Sequence, residues 1–254
     1  MSETTHATPS TVIDGQLNPA ERAFITKAVR EDLVKPEITV EVGTWLGGGS
    51  TLHILRALQA NGTGHLWGVE ASQDIYEKML ANIRLGAPDA AERFTPLFGF
   101  STVVLPEWLA TLAPDAKIDF VFLDGGDKPY EQIEEFRLLA PRLRTGGILM
   151  AHDARMRKGK WLGPYVAELD NWESSVHDLS FAGIFRARKI KAEPSPASLK
   201  AAERKLRSLQ REPRELAARF LPSWFCGFVL RLLPASLSRQ LTLGPQILEH
   251  DRPA

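Results

Sequence analysis

Five short apolar runs in this sequence each end on residues able to do chemistry. Glu41 and Gly43 close the first, Glu70 the second, Ser101 follows the third, Asp124 closes the fourth, and His152 and Asp153 close the fifth. Carboxylates at such positions can accept hydroxyl groups or hold a cation. An imidazole with an ordinary pKa of about 6.5 can take up a proton near neutrality. A serine there can also simply cap the following helix, which is an equal reading for Ser72 or Ser101 taken alone. The joint placement predicts one cleft into which all of these groups converge.

The first of these sites carries a glycine-rich turn, EVGTWLGGGSTL, residues 41–52. A phosphate loop of the Walker type requires a lysine before the Ser or Thr, and Gly49 stands there instead. A dinucleotide fingerprint requires a second glycine two residues after the first, and that position is Trp45. What remains is a turn that brings backbone amides against a nucleotide-like ligand without phosphates. The helix start at Ser50 and Thr51 is available for a carboxylate. S-adenosylmethionine fits this description. Glu70, at the end of the next strand, is spaced to accept both hydroxyls of an adenosine ribose and would repel a 2′-phosphate.

The elements that must position these groups alternate. NPAERAFITKAVRED reads as a helix with Asn18 as N-cap, Pro19 in the first turn and Glu21 closing a capping box. ITVEVGT, HLWGVEA, FTPLFGF, IDFVFLD and GGILMAHD read as strands. Between them lie helical patterns over residues 50–60, SQDIYEKMLANIRLG, STVVLPEWLATL and PYEQIEEFRLLAPRLR. Strand, helix and strand in alternation predict an α/β fold with a doubly wound, mostly parallel, Rossmann-like sheet and ligands beyond the carboxyl ends of its strands. The 254 residues include 31 basic and 31 acidic side chains, so no global basic footprint favours nucleic acid. Cys226 is the only cysteine, which excludes an intrachain disulfide and a cysteine-rich zinc site. The polar N-terminus and the lack of a long apolar run lead to the expectation of a cytoplasmic protein.

VEVGTWLGGGSTL, WGVEAS and FVFLDGGDKPYEQIEEFRLLAPRLRTGGILMAHDA together resemble class I S-adenosylmethionine-dependent methyltransferases, in particular the bacterial group related to catechol-type and macrocin-type O-methyltransferases. The resemblance covers roughly residues 18–190. It implies that Glu41, Gly43, Thr44, Gly47 and Ser50 line the methionine end of the cofactor, that Glu70 holds the ribose, that Ser101 lies near the adenine and that Asp124 borders the same site. Catechol-type enzymes bind a divalent cation through an acid after the fourth strand and an acid–amide pair after the fifth, which maps to Asp124, His152 and Asp153. Magnesium or another divalent cation on Asp124 and Asp153 is therefore an expectation, with His152 standing where the family has an oxygen ligand. A lysine shortly after the fourth-strand acid is the family's general base. Lys128 lies near that place in a loop one residue longer, and Asp127 and His152 are rival bases.

The expected reaction is an in-line displacement in which an acceptor oxygen attacks the sulfonium methyl while a base removes its proton. Alignment alone can contribute on the order of 7 to 11 kcal/mol. The acceptor is expected to be a small molecule or a glycan hydroxyl. A noncatalytic nucleotide-binding module or scaffold, binding a partner through the C-terminal extension, is the alternative. The chain divides into a flexible N-terminus (1–17), the methyltransferase domain (18–192) and a C-terminal helical, partly apolar extension (193–254). That extension contains LPSWFCGFVLRLLPASL, with Trp224, Phe225 and Phe228, too apolar to stand alone in water. Burial on the core or in a homo-oligomer is the favoured reading. Peripheral membrane contact through Arg219, Arg231 and Arg239 is the rival one.

Overall fold

A computed structural model describes residues 13–211. The first helix, α1 (Pro19–Lys27), begins as the sequence predicts: the Asn18 side chain accepts from the N–H groups of Ala20 and Glu21, and the Glu21 carboxylate accepts from the Asn18 N–H. It runs on as a wider π-helical turn over Ala28–Asp32. There follow β1 (Ile38–Val42), α2 (Thr51–Asn61), β2 (His65–Glu70), α3 (Gln73–Gly86), β3 (Phe94–Phe98), α4 (Ser101–Thr111), β4 (Ile118–Leu123), α5 (Pro129–Leu139) and β5 (Leu143–His152). All five predicted strands are present. After them come α6 (Leu162–Val166), β6 (Trp172–His177), β7 (Ile184–Lys189) and α7 (Pro196–Gln210).

The seven strands form one sheet in the order β3-β2-β1-β4-β5-β7-β6. The first five pair in parallel, while β7 lies antiparallel between β5 and β6. Each parallel pair needs a crossover, and the chain supplies a helix each time. The winding reverses between β1 and β4, so this is an α/β doubly wound sheet whose ligand crevice opens beyond the carboxyl ends of those two strands.

Strand alternation builds a core on each face. Val121, Leu123, Leu149 and Ala151 point to one face, where Trp108 of α4, Phe136 of α5, Tyr165 of α6 and Leu206 of α7 cover them. Phe120, Phe122, Ile148 and Met150 point to the other, under Ile25 of α1, Leu55 of α2 and Met79 of α3. Each fully buried Val, Leu, Ile, Phe or Met among them contributes roughly 1.5–3 kcal/mol.

The helix α7 belongs to this packing: Ala202 and Leu206 are buried in the first core, and Glu203 accepts from Arg137 of α5 and Tyr165 of α6. Among the described residues no helix is long and apolar enough to cross a membrane. The apolar C-terminal stretch with Trp224, Phe225 and Phe228 lies outside the described residues, as do the arginines of the membrane reading.

Candidate functional site

The glycine turn after β1 takes its shape from positive φ angles. Gly43 (φ 87°) and Gly47 (φ 86°) lie in the left-handed region, and so does Trp45 (φ 46°). At Gly43 a Cβ would come within 2.5 Å of the Gly125 nitrogen, because the β1 and β4 ends touch backbone to backbone. Two independent constraints therefore demand glycine here. Gly48 is needed for a different reason. A Cβ there would lie 2.2 Å from the Ile13 carbonyl oxygen, since residues 13–15 run directly across the turn and the Gly48 N–H donates to Asp14 O. Part of the glycine run thus accommodates the protein's own chain, which the sequence reading had assigned to a ligand.

Glu70 at the end of β2 is fixed by two backbone donors, the Trp45 N–H to Oε2 and the Ser72 N–H to Oε1, both at 3.0 Å. Each oxygen keeps a lone pair for a further donor. The first contact also ties the glycine turn to β2, so the acid and the turn form one unit.

Glu41 is fully buried and accepts from the Ser50 hydroxyl. Burial pushes its carboxyl up to about 8, against the hydroxyls of Ser50 and Thr51, with Asp124 and Glu70 adding to the rise. Its Oε2 has no hydrogen-bond partner, and neither do the buried Thr44 Oγ1, Gln132 Oε1 or Glu135 Oε2. Such groups are costly unless something satisfies them. Ser101, the first residue of α4, donates to Glu135 Oε1 at 2.7 Å. Burial raises the Glu135 carboxyl to about 7. Ser101 is flanked by the solvent-exposed rings of Phe98 and Phe100, which offer an apolar surface at the end of β3.

At the ends of β4 and β5 the structure brings Asp124, His152 and Asp153 together, with one ligand-type atom of each within 4.8 Å of the others. The His152 Nε2 lies 3.1 Å from Glu21 Oε1, and its Nδ1 lies 3.4 Å from Asp124 Oδ1 and 3.4 Å from Asp153 Oδ1. Burial alone would lower the imidazole pKa, but Asp124, then Asp153 and Glu21, push it up to about 9. His152 is therefore an imidazolium at neutral pH, with both nitrogens occupied against carboxylates. In that protonation state the ring has no lone pair to offer a proton or a cation. Glu21 does two jobs that the sequence reading had counted as one, capping α1 and holding His152.

The residue that the sequence reading missed is Lys158. It sits in a short 3-10 turn (Lys158–Lys160), its side chain only 8% exposed, with Nζ 2.9 Å from Asp124 Oδ1, 2.9 Å from Asp153 Oδ2 and 3.1 Å from the Asp124 carbonyl oxygen. Burial would raise the Asp124 carboxyl, but the Lys158 ammonium and His152 hold it below the usual range. Lys158 is in turn raised above the ordinary lysine value by Asp124 and Asp153 despite its burial. Its only sequence signal is the basic loop ARMRKGK directly after the fifth strand, which has no periodicity to read. Asp127 and Lys128 are exposed on the β4–α5 loop, where their N–H groups both donate to Glu131 Oε2.

Residues 40–154 match a protein family described as methyltransferase domain. Among solved structures, the chain is similar to an O-methyltransferase from Bacillus cereus in complex with SAH (18% identity, TM-score 0.57, covering 68% of this chain and 82% of that one). It is also similar to the O-methyltransferase TomG from Streptomyces achromogenes, involved in tomaymycin synthesis, in complex with SAM (16%, TM-score 0.58, 69% and 82%). A methyltransferase from Geobacter sulfurreducens shares the fold as well (14%, TM-score 0.53, 69% and 81%). No curated protein matches the chain in sequence.

Proposed function

We infer from the methyltransferase domain spanning residues 40–154 that this protein transfers the methyl group of S-adenosylmethionine to a hydroxyl oxygen of a small-molecule or glycan acceptor. One observation carries the reading. Glu70, held by the Trp45 and Ser72 amides, stands beside a glycine turn whose neighbouring buried oxygens, on Glu41 and Thr44, lack partners. In this reading the ribose hydroxyls donate to Glu70, the adenine lies against Phe98 and Phe100 near Ser101, and Gly43, Thr44, Gly47 and Ser50 surround the methionine end. The cofactor's ammonium then faces Glu41, with Asp124 on the border toward the acceptor.

The sulfonium is already activated, so the chain's task is alignment and charge control. Methyl transfer discharges the sulfonium, and an excess of anions beside it would favour the ground state over the transition state. Lys158 and His152 offset two of the three carboxylates of Asp124, Asp153 and Glu21. With His152 held as an imidazolium, removal of the acceptor proton falls to the exposed Asp127–Lys128 loop.

The experiment is incubation of the full chain with S-adenosylmethionine and a panel of hydroxylated metabolites and glycans, read by mass spectrometry. A product heavier by one methyl substitution, together with S-adenosylhomocysteine, is the expected result. Stoichiometric cofactor binding with no methylated product across the panel would point instead to a noncatalytic module.

A further inference from the structure

We propose that the Lys158 ammonium takes the place of a divalent cation between Asp124 and Asp153, and that it is saturated there, so that this site neither binds a metal nor chelates an acceptor diol. The proposal rests on the methyltransferase reading for its consequence but not for its geometry. An ammonium has three donors. The three acceptors around Lys158 Nζ, at 2.9, 2.9 and 3.1 Å, use all of them. A magnesium ion would have to sit about 2.0–2.1 Å from the same carboxylate oxygens, inside the volume the ammonium fills. The group expected to hold a cation is thus present, and the cation is a side chain.

The backbone is built to keep it there. Asp153 adopts φ 61°, a conformation rare for a residue with a Cβ, and it aims its carboxylate at the lysine. The turn carrying Lys158 lies so close that a Cβ on Gly159 would come within 2.4 Å of the Asp153 carbonyl oxygen, so only glycine lets the loop approach. Lys158 reaches the carboxylates from a loop packed flat on Asp153, and it is shielded from water.

The consequence concerns the acceptor. A bound metal ion keeps open positions that can grip two adjacent hydroxyls of a substrate, whereas a three-coordinate ammonium with three protein partners has none left. Acceptors are therefore expected to be held by a single hydroxyl and by contacts elsewhere in the cleft, with no preference for vicinal diols and no loss of turnover in chelator.

The test is a titration of the full chain with Mn2+, free ion being read by electron paramagnetic resonance and binding by calorimetry. The native protein should leave the ion free to about millimolar concentration, a binding energy no better than about −4 kcal/mol. Lys158→Ala should bind one Mn2+ at least about tenfold more tightly. Asp153→Asn in the Lys158→Ala background should abolish that gain, and Lys158→Arg should remain blind to the ion. Stoichiometric Mn2+ binding by the native chain at micromolar concentration, lost on Asp153→Asn, would overturn the proposal. So would a folded Lys158→Ala that gains nothing. If thermal melting shows that Lys158→Ala does not fold, the native titration alone decides. Calorimetry of S-adenosylhomocysteine with the native chain is read separately: its failure would remove the methyltransferase reading and leave the metal result standing.

Discussion

If S-adenosylmethionine sets its ammonium against Glu41, as the proposed function has it, binding should be coupled to a proton. Its carboxyl is fully buried and pushed up to about 8, with one oxygen accepting from Ser50 and the other unpartnered. The gap from the ordinary value of 4.5 corresponds to about 5 kcal/mol at ~1.4 kcal/mol per pH unit, an upper figure for a wholly buried group. The sign follows from linkage. The unfolded chain ionises Glu41 near pH 4.5 while the folded chain does not, so stability falls as pH rises from about 4.5 to about 8 and then levels off. A cofactor ammonium placed against Glu41 favours the carboxylate and expels the proton. Near pH 7 about nine-tenths of the apo protein carries that proton, so binding should release close to one. Affinity should climb about tenfold from pH 6 to 7 and about fivefold from 7 to 8. Glu41→Gln should abolish both the release and the slope, and should flatten the fall in stability. The assay is calorimetry of S-adenosylmethionine binding at pH 7 in buffers of different ionisation enthalpy. Equal apparent enthalpies across buffers for the native chain would refute the reasoning, as would an unchanged slope in Glu41→Gln.

Three further outcomes are expected. Glu70→Ala should weaken S-adenosylmethionine binding about tenfold to hundredfold, or roughly 1.5–3 kcal/mol, and an unchanged calorimetric affinity in the folded variant would remove Glu70 from the site. Gly43→Ala meets both a positive φ and the Gly125 backbone and should cost roughly 2–5 kcal/mol, seen as a lowered melting temperature; a melting curve identical to the native one would show that the turn relaxes easily. Leu206→Ala, on the buried face of α7, should cost about 2–5 kcal/mol in denaturant unfolding, and removal of the chain from Pro196 onward should cost more. Near-native stability of the shortened chain would mean that α7 only rests on the domain.

The first five strands and their helices were legible because each is written locally: a short apolar run, a cap, a period. Asn18, Pro19 and Glu21 spell a helix start that the structure reproduces atom by atom. The strands β6 and β7 were not read, since WESSVH, on the sheet edge, carries serines and a glutamate, and IFRARK, between β5 and β6, is broken by arginines, so neither announces a continuous apolar run. The strand-end acids were found for the same reason as the strands, by position. What stayed hidden was long-range. Nothing local pairs Lys158 with Asp124, 34 positions away, or Glu21 with His152, 131 positions away. His152 was weighed as a base on its ordinary pKa, and only its three carboxylate neighbours reveal that it is already charged.

The crossing of residues 13–15 over Gly48 separates two meanings of the word domain. The span that matches the methyltransferase family runs from 40 to 154, yet its glycine turn is roofed by a segment upstream of it, and its β5 edge is paired by β7 downstream of it. A fragment cut to the recognisable span would strip Ile13, Leu17 and Ile25 from the second core on one side and bare the β5 edge on the other, inviting aggregation through both. The unit that can be identified by similarity is therefore smaller than the unit that can exist in water. Excision at the upstream border would act on the glycine turn without changing any residue of the turn itself.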